Sequence, residues 1–311
     1  MRTEAINISI FDQFSDLKPI TSADLQEMGP YFKLVDYEAC EYNFVTLYMW
    51  QTVYDFHFVT KDNFMVVFGA VRGELFAIQP SCRDEHFEAA MDYIESCFRH
   101  VGQKIQFKAV TKEVLDKIEA LYPQRYSYET NRDDSDYIYE AERLRTLSGR
   151  KMHSKKNHFN SFEKEYGDRY IYKRLTKRSE FDECIKLVEK WAFSREKDQN
   201  LIGESLAIQK IFRNFNKFSK LKVGGIYIDN HLEAFTYGDY LNPNMAVIHI
   251  EKANPSIRGL YTAINKIFLT EEFPDVEFVN REDDLGIEGL RKAKLSYKPI
   301  KLVDKYSLVE K

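Results

Sequence analysis

The chain has 311 residues, with 49 Asp or Glu against 45 Lys or Arg and a net charge of −4, a size that suits two domains better than one core. An apolar share of 44% and a charged share of 30% are ordinary for a globular chain; the longest apolar run, Phe64–Val71, is far too short to span a bilayer, and MRTEAINISIFDQF lacks a signal-peptide layout, so the cytoplasm is the expected location. No phosphate-binding Gly-Lys-Ser/Thr loop, G-x-G-x-x-G or G-x-S-x-G pattern occurs, which removes the usual sequence support for a kinase, dehydrogenase or serine hydrolase, and without an H-E-x-x-H pattern or a Cys/His box no structural zinc site is expected.

In chain order, ADLQEMGPYF has helical periodicity. DFHFVTKDNFMVVFGAVRGELFAIQP then reads as three short strands turning at residues 61–63 and 72–73. A helix follows in DEHFEAAMDYIESCFRHVG, where Phe87, Met91, Ile94 and Phe98 share a face. A strand KIQFKAV, a helix KEVLDKIEALY and a strand SDYIYE complete the first half, 1–140. The second, 141–311, opens on RLRTLSGRKMHSKKNHFNSF, with six Lys or Arg, two His and no acid. Ser148 is the expected N-cap of an amphipathic helix there, with Met152, Phe159, Phe162 and Tyr166 on one stripe and Gly167 at its end. Lys151, Lys155 and Lys156 flank the stripe. Next come a strand RYIYKRL, a helix from Ser179 with Phe181, Ile185, Val188 and Trp191 inward, and a helix SLAIQKIFRNFNKF. A hairpin turning at 229–230, a strand MAVIHIE, a loop KANPS and a helix IRGLYTAINKIFLTEEF follow. The chain closes with a strand DVEFVNRE, a helix LGIEGLRKAKLSY and a terminal strand IKLVDKYSL. This order is that of a GNAT-like acyltransferase domain, so the expected class is α+β, with two tandem GNAT-like mixed-sheet domains. Cys40, Cys82, Cys97 and Cys184 show no metal-ligand spacing and are expected to be reduced and mostly buried; no metal site is expected.

Three stretches, DYIYEAERLRTLSGRKMHSKKNHFNSFEKEY, IHIEKANPSIRGLYTAINKIF and FVNREDDLGIEGLRKAKLSYKP, resemble the bacterial family built around the C-terminal domain of phosphatidylglycerol lysyltransferase. The resemblance implies two GNAT-like domains in tandem, as in the Fem-type aminoacyltransferases, which move an amino acid from aminoacyl-tRNA to an amine or hydroxyl. The membrane portion of the lysyltransferase is not expected here, so neither a lipid acceptor nor lysine as donor carries over.

In such folds the loop and helix after the central strand hold a cofactor's pyrophosphate on free N–H groups. The matching loop runs from Asn254 to Tyr261, with Ser256, Arg258 and Gly259 as candidate binding residues. Tyr261 stands where a small residue is usual, which weakens a coenzyme A reading; a helix merely begun by Ser256 is the plain alternative. Alternation in MAVIHIE places His249 and Glu251 on one face, and FVNRE brings Asn280 and Glu282 to its end. Glu251 or Glu282, with Asn280, is the candidate to position or deprotonate an acceptor, unless both are solvated strand ends. His249 is a candidate binding residue beside them. Asp283 and Asp284 either cap the following helix or bind an aminoacyl ammonium. Lys292 occupies the place of the tyrosine that protonates a leaving thiolate in many acetyltransferases, and Tyr297 is the aromatic residue after that helix. Positioning alone supplies roughly 7–11 kcal/mol, so a template enzyme acting on an activated ester is physically adequate. Arg145, Arg150, Lys151, Lys155 and Lys156 are candidate phosphate contacts, against a sequence pI near 6.1 and the alternative of a wet helix face. The expected donor is aminoacyl-tRNA and the acceptor a small molecule or peptide; a coenzyme A-dependent N-acetyltransferase and a non-catalytic nucleotide- or RNA-binding module are the alternatives.

Overall fold

A computed structural model describes residues 9–193 and 199–311, with side chains described except at 191–193 and 199–202. Trp191, expected to face inward, has its side chain outside the described residues. The chain divides into two compact units. One comprises the residues up to Tyr37, Trp50–Asn131 and Asp304–Lys311; the other comprises Glu38–Met49 and Arg132–Val303. The expected join at 140–141 lies inside the second unit.

The first unit is a mixed sheet with helices Phe87–His100 and Lys112–Leu121 packed on it. Among the described residues its strands run in the order Lys18–Pro19, His57–Lys61, Phe64–Val71, Glu74–Ile78, Gln106–Val110, Tyr306–Glu310 and Tyr126–Thr130. All neighbours are antiparallel except Glu74–Ile78 with Gln106–Val110. Beyond the parallel contact at Ile78, the Gln79 side chain accepts the backbone N–H of Thr111 at 2.7 Å, so a side chain ties the two strands where they would otherwise part. The predicted stripe holds: Phe87, Met91, Ile94 and Phe98 are all buried in the core of this unit.

In the second unit the order is Lys301–Val303, Asp136–Glu140, Phe278–Asn280, Met245–Ala253, His231–Asn242, Lys222–Ile228 and Tyr170–Arg174. Here too one pair is parallel, Met245–Ala253 with Phe278–Asn280. The hairpin turns at Asp229 and Asn230, both at positive φ (49° and 67°), as a two-residue turn matched to strand twist requires. Helix Leu260–Glu272 buries Leu260, Ala263, Ile264, Phe268 and Leu269 against this sheet. Helix His153–Tyr166 buries Phe162 completely and packs Phe159 partly. Truncating a ring so placed costs about 3–5 kcal/mol. Ser148 is not its N-cap. A short helix Ala141–Thr146 ends at Leu147 (φ 51°), a 3-10 turn Arg150–Met152 follows, and the Ser148 hydroxyl meets Thr146 Oγ1 at 2.9 Å.

Both sheets thus share the GNAT-like plan of an antiparallel run, one parallel pair and two closing strands. The closing strands are exchanged. SDYIYE, expected to finish the first half, enters the second sheet between Phe278–Asn280 and Lys301–Val303. The expected single terminal strand is two: Lys301–Val303 stays in the second sheet, and Tyr306–Glu310 enters the first between Gln106–Val110 and Tyr126–Thr130.

Candidate active site

The site of the second unit follows from how little of the central strand is paired. Met245–Ala253 meets its parallel neighbour only through Met245, Ala246 and Val247. From Ile248 onward the two strands diverge, and the polar side chains of their ends lie around the gap. On its other edge the strand carries a bulge: Gly238 pairs with Ile248 and Tyr237 with Ile250, leaving His249 as the extra residue. A bulge turns the residues after it to the opposite face. The expected common face for His249 and Glu251 is therefore not observed. Ile248 packs with Phe268 and Leu269, and after the bulge Ala253 and Glu251 face that same helix. His249 is aimed elsewhere, at Thr46 and Glu282.

On the His249 side, its ring Nδ1 lies 2.9 Å from Glu282 Oε1 and 3.5 Å from the Thr46 hydroxyl, with the Tyr237 ring beside it. Its Nε2 is buried without a hydrogen-bond partner. Glu282 has φ 56°, an uncommon backbone for a residue with a Cβ. Asn280 holds it there: Asn280 Oδ1 accepts the Glu282 N–H at 2.6 Å, while its Nδ2 donates to the Glu38 carbonyl and to Asp136. Asn280, a candidate to position an acceptor, is fully buried with both ends of its amide engaged; it shapes the turn. Cys40 Sγ and the Glu41 and Asp136 carboxylates lie within 4.8 Å of one another. Asp136 already accepts the Cys40 N–H and the Asn280 amide, so the trio serves as a hydrogen-bonded join.

On the Glu251 side, Arg281 reaches across the gap and donates from Nη2 to Glu251 Oε1 at 3.0 Å. Asn265 of the helix donates from Nδ2 to Glu251 Oε2, also at 3.0 Å. Both partners keep a buried polar atom unmatched: Arg281 Nη1 and Asn265 Oδ1. The Arg281 guanidinium covers the buried Tyr297 ring at 4.7 Å and the Tyr139 ring at 5.6 Å. Lys155 Nζ stands 3.9 Å from the Tyr297 centroid. Burial, then the nearby Arg281 charge, pushes the Lys155 ammonium down to about 8 against the pull of Glu251. Burial pushes the Tyr297 phenol up to about 12, so it stays protonated. Lys294, also buried, donates to the carbonyls of Arg281, Glu282 and Asp283 and holds the turn after the parallel strand.

The other expected residues fall outside this cluster. Asp284 is neither exposed nor a simple cap. Its carboxylate takes Arg291 Nε at 2.9 Å and Nη2 at 2.8 Å, the Tyr137 hydroxyl and the Gly286 N–H. Burial pushes its acidity down, but these partners outweigh it and hold the carboxyl well below the usual range. Asp283 is partly buried and contributes its carbonyl to Lys294. Ser256 and Arg258 are exposed. Gly259 has φ 83°, and a Cβ there would lie 2.1 Å from the His158 carbonyl oxygen; the loop expected to cradle a pyrophosphate is packed against helix His153–Tyr166. Arg150, Lys151 and Lys156 are exposed. Arg145 donates to the carbonyls of Phe273 and Val276, and Lys292 pairs with Glu288 in solvent. Arg281, Asn265 and Lys294 were not singled out from sequence. The one available signal was polar residues interrupting otherwise apolar stretches.

The family model for the C-terminal part of phosphatidylglycerol lysyltransferase matches residues 32–309. A conserved protein of unknown function from Bacteroides thetaiotaomicron is 30% identical, with a TM-score of 0.89 over 95% of this chain and 99% of its own. L-PGS from Bacillus licheniformis superimposes at a TM-score of 0.68 over 96% and 94% of the two chains at 15% identity. The C-terminal domain of a putative lysylphosphatidylglycerol synthetase from Agrobacterium fabrum gives 0.66 over 94% and 93%, again at 15%. An uncharacterised protein of Mycoplasmoides gallisepticum is 25% identical over 66% of this chain and 74% of its own length. Among the described residues no helix is long and apolar enough to cross a membrane.

Proposed function

Because the chain belongs to the phosphatidylglycerol lysyltransferase C-terminal family, a group of GNAT-like acyltransferases, we propose that it moves an aminoacyl group from aminoacyl-tRNA to an amine or hydroxyl acceptor in the cytoplasm. The observation that carries this reading is the pair of unmatched buried atoms flanking Glu251. Arg281 Nη1 is a cationic donor and Asn265 Oδ1 an acceptor, and buried polar groups left open cost stability unless a ligand completes them. An aminoacyl ester has the complementary groups. Its carbonyl oxygen accepts from Arg281, where charge builds up during attack, and its α-ammonium donates to Asn265 Oδ1 and faces the Glu251 carboxylate. Glu282, paired with His249 on the other side of the bulge, is the candidate to orient the acceptor, and Asn280 sets the turn that places Glu282. Arg150, Lys151 and Lys156 offer the tRNA backbone a sequence-independent positive face.

The packing of Gly259 against helix His153–Tyr166 favours this donor over coenzyme A, since it crowds the loop on which a pyrophosphate would sit. Filter binding of aminoacyl-tRNA pools against the same pools deacylated tests the reading. Charged tRNA should bind more tightly, and Arg281→Met, assayed at a temperature where circular dichroism shows it folded, should remove the difference while leaving affinity for deacylated tRNA unchanged. Equal binding of charged and deacylated tRNA, with a thermal shift on acetyl-coenzyme A, would overturn it.

A further inference from the structure

We propose that Lys155 is the proton carrier of this transfer, its amine taking the proton from the attacking acceptor and returning it to the departing ribose oxygen. The proposal rests on the aminoacyl-transfer reading and adds to it a residue that sequence alone placed on a wet, polyanion-binding face. Lys151 and Lys156, its neighbours in the basic stretch, are exposed; Lys155 is partly buried. Its amine lies over the Tyr297 ring, which Arg281 also covers, so it shares a wall with the residue that binds Glu251. Among the described residues Lys155 Nζ makes no hydrogen bond or ion pair. A lysine kept for structure would resemble Lys294, whose amine is spent on three carbonyls.

The other bases nearby are committed. Glu251 is held by Arg281 and Asn265, and Glu282 by His249 and its turn. The groups facing Lys155 are Tyr297, Arg281 and Glu251, with His158 on its own helix. Burial and Arg281 lower its proton affinity towards about 8, the range in which a lysine works as a general base. His158, pushed down by burial and then by Lys155 and Arg258, adds no competing charge near neutrality. The step balances without another reactant. The acceptor N–H or O–H bond breaks as its heavy atom bonds to the acyl carbon, and the proton moves to Lys155 Nζ. The ester C–O bond then breaks, and the same proton passes to the ribose oxygen, leaving a free hydroxyl on the tRNA.

Competitive acetylation of the intact protein with trace acetic anhydride, read by mass spectrometry across pH, tests the amine without any variant. Lys155 should titrate near 8; a midpoint at about 10.4, the value of a lysine side chain in a model peptide, would overturn the proposal. In a transfer assay with hydroxylamine as acceptor, Lys155→Arg keeps the charge but cannot release a proton, so kcat should fall roughly 10²–10⁴-fold with KM little changed. The acid limb of the wild-type kcat profile should vanish in the variant. Full activity with an unchanged limb would overturn the proposal. Wild-type protein inert towards every aminoacyl-tRNA would remove the reaction itself, and the labelling curve would mark that outcome as a failure of the donor assignment.

Discussion

Removing either partner of the Glu251–Arg281 pair should be far worse than removing both. The two side chains are only 12% and 10% exposed, so each charge relies on the other and on Asn265 rather than on water. Glu251→Met leaves a guanidinium with nothing to neutralise it, and one nitrogen of that group is unmatched already. Arg281→Met leaves a carboxylate supported by a single amide. Breaking a buried pair from one side costs about 3–5 kcal/mol, whereas replacing both members by apolar residues of similar volume is often neutral. Each single variant should therefore lose about 3–5 kcal/mol, and the double variant much less than either. Urea unfolding of the four proteins, followed by circular dichroism, gives the cycle. Additivity to within about 0.5 kcal/mol would show that the two charges do not depend on each other, and would refute the mutual support of Glu251 and Arg281.

Gly259→Ala should cost roughly 2–5 kcal/mol in chemical denaturation, from a left-handed backbone and a collision with the His158 carbonyl; a loss below about 1 kcal/mol would refute the packing. Asp284 has a lowered folded-state pKa, so its stabilisation is present above about 3.9 and lost as pH falls further. Asp284→Asn should accordingly melt earlier at neutral pH and show less further loss in acid than the wild type, whereas parallel pH curves would exclude that role. Changing Arg150, Lys151 and Lys156 to Gln should reduce the salt slope of tRNA binding by about 0.7–0.9 for each lost phosphate contact. An unchanged slope would leave them as a solvated face.

Legibility in the sequence tracked the regularity of burial. Helix Phe87–His100 has one buried face and one wet face, and its stripe was plain. Helix Phe44–Tyr54 was missed because Phe44 through Met49 are buried without interruption, so no period remains to detect. The hairpin at 229–230 announced itself by Asp-Asn, residues that tolerate positive φ. The bulge at His249 did not, since MAVIHIE alternates smoothly and only the register against Gly238 and Tyr237 reveals the extra residue. That one residue separated His249 from Glu251 and overturned the expected common face. Lys155 was hidden for another reason: in a run of exposed cations nothing marks the one whose amine is turned onto a ring.

The exchange of closing strands has a consequence for how the polypeptide is made. On a ribosome the first sheet can build as far as Gln106–Val110 and Tyr126–Thr130, but the slot between them waits for Tyr306–Glu310, which emerges after every strand of the second sheet. Until then two unsatisfied strand edges face the cell, the kind of surface that recruits other chains. The second sheet is left with no open slot between finished strands, because Asp136–Glu140 is synthesised before Phe278–Asn280 and Lys301–Val303, which flank it. Order of synthesis and order of completion are thus opposite. The unit that begins first finishes last, and a release of the chain before Tyr306 would yield a folded second unit joined to an open, sticky first one.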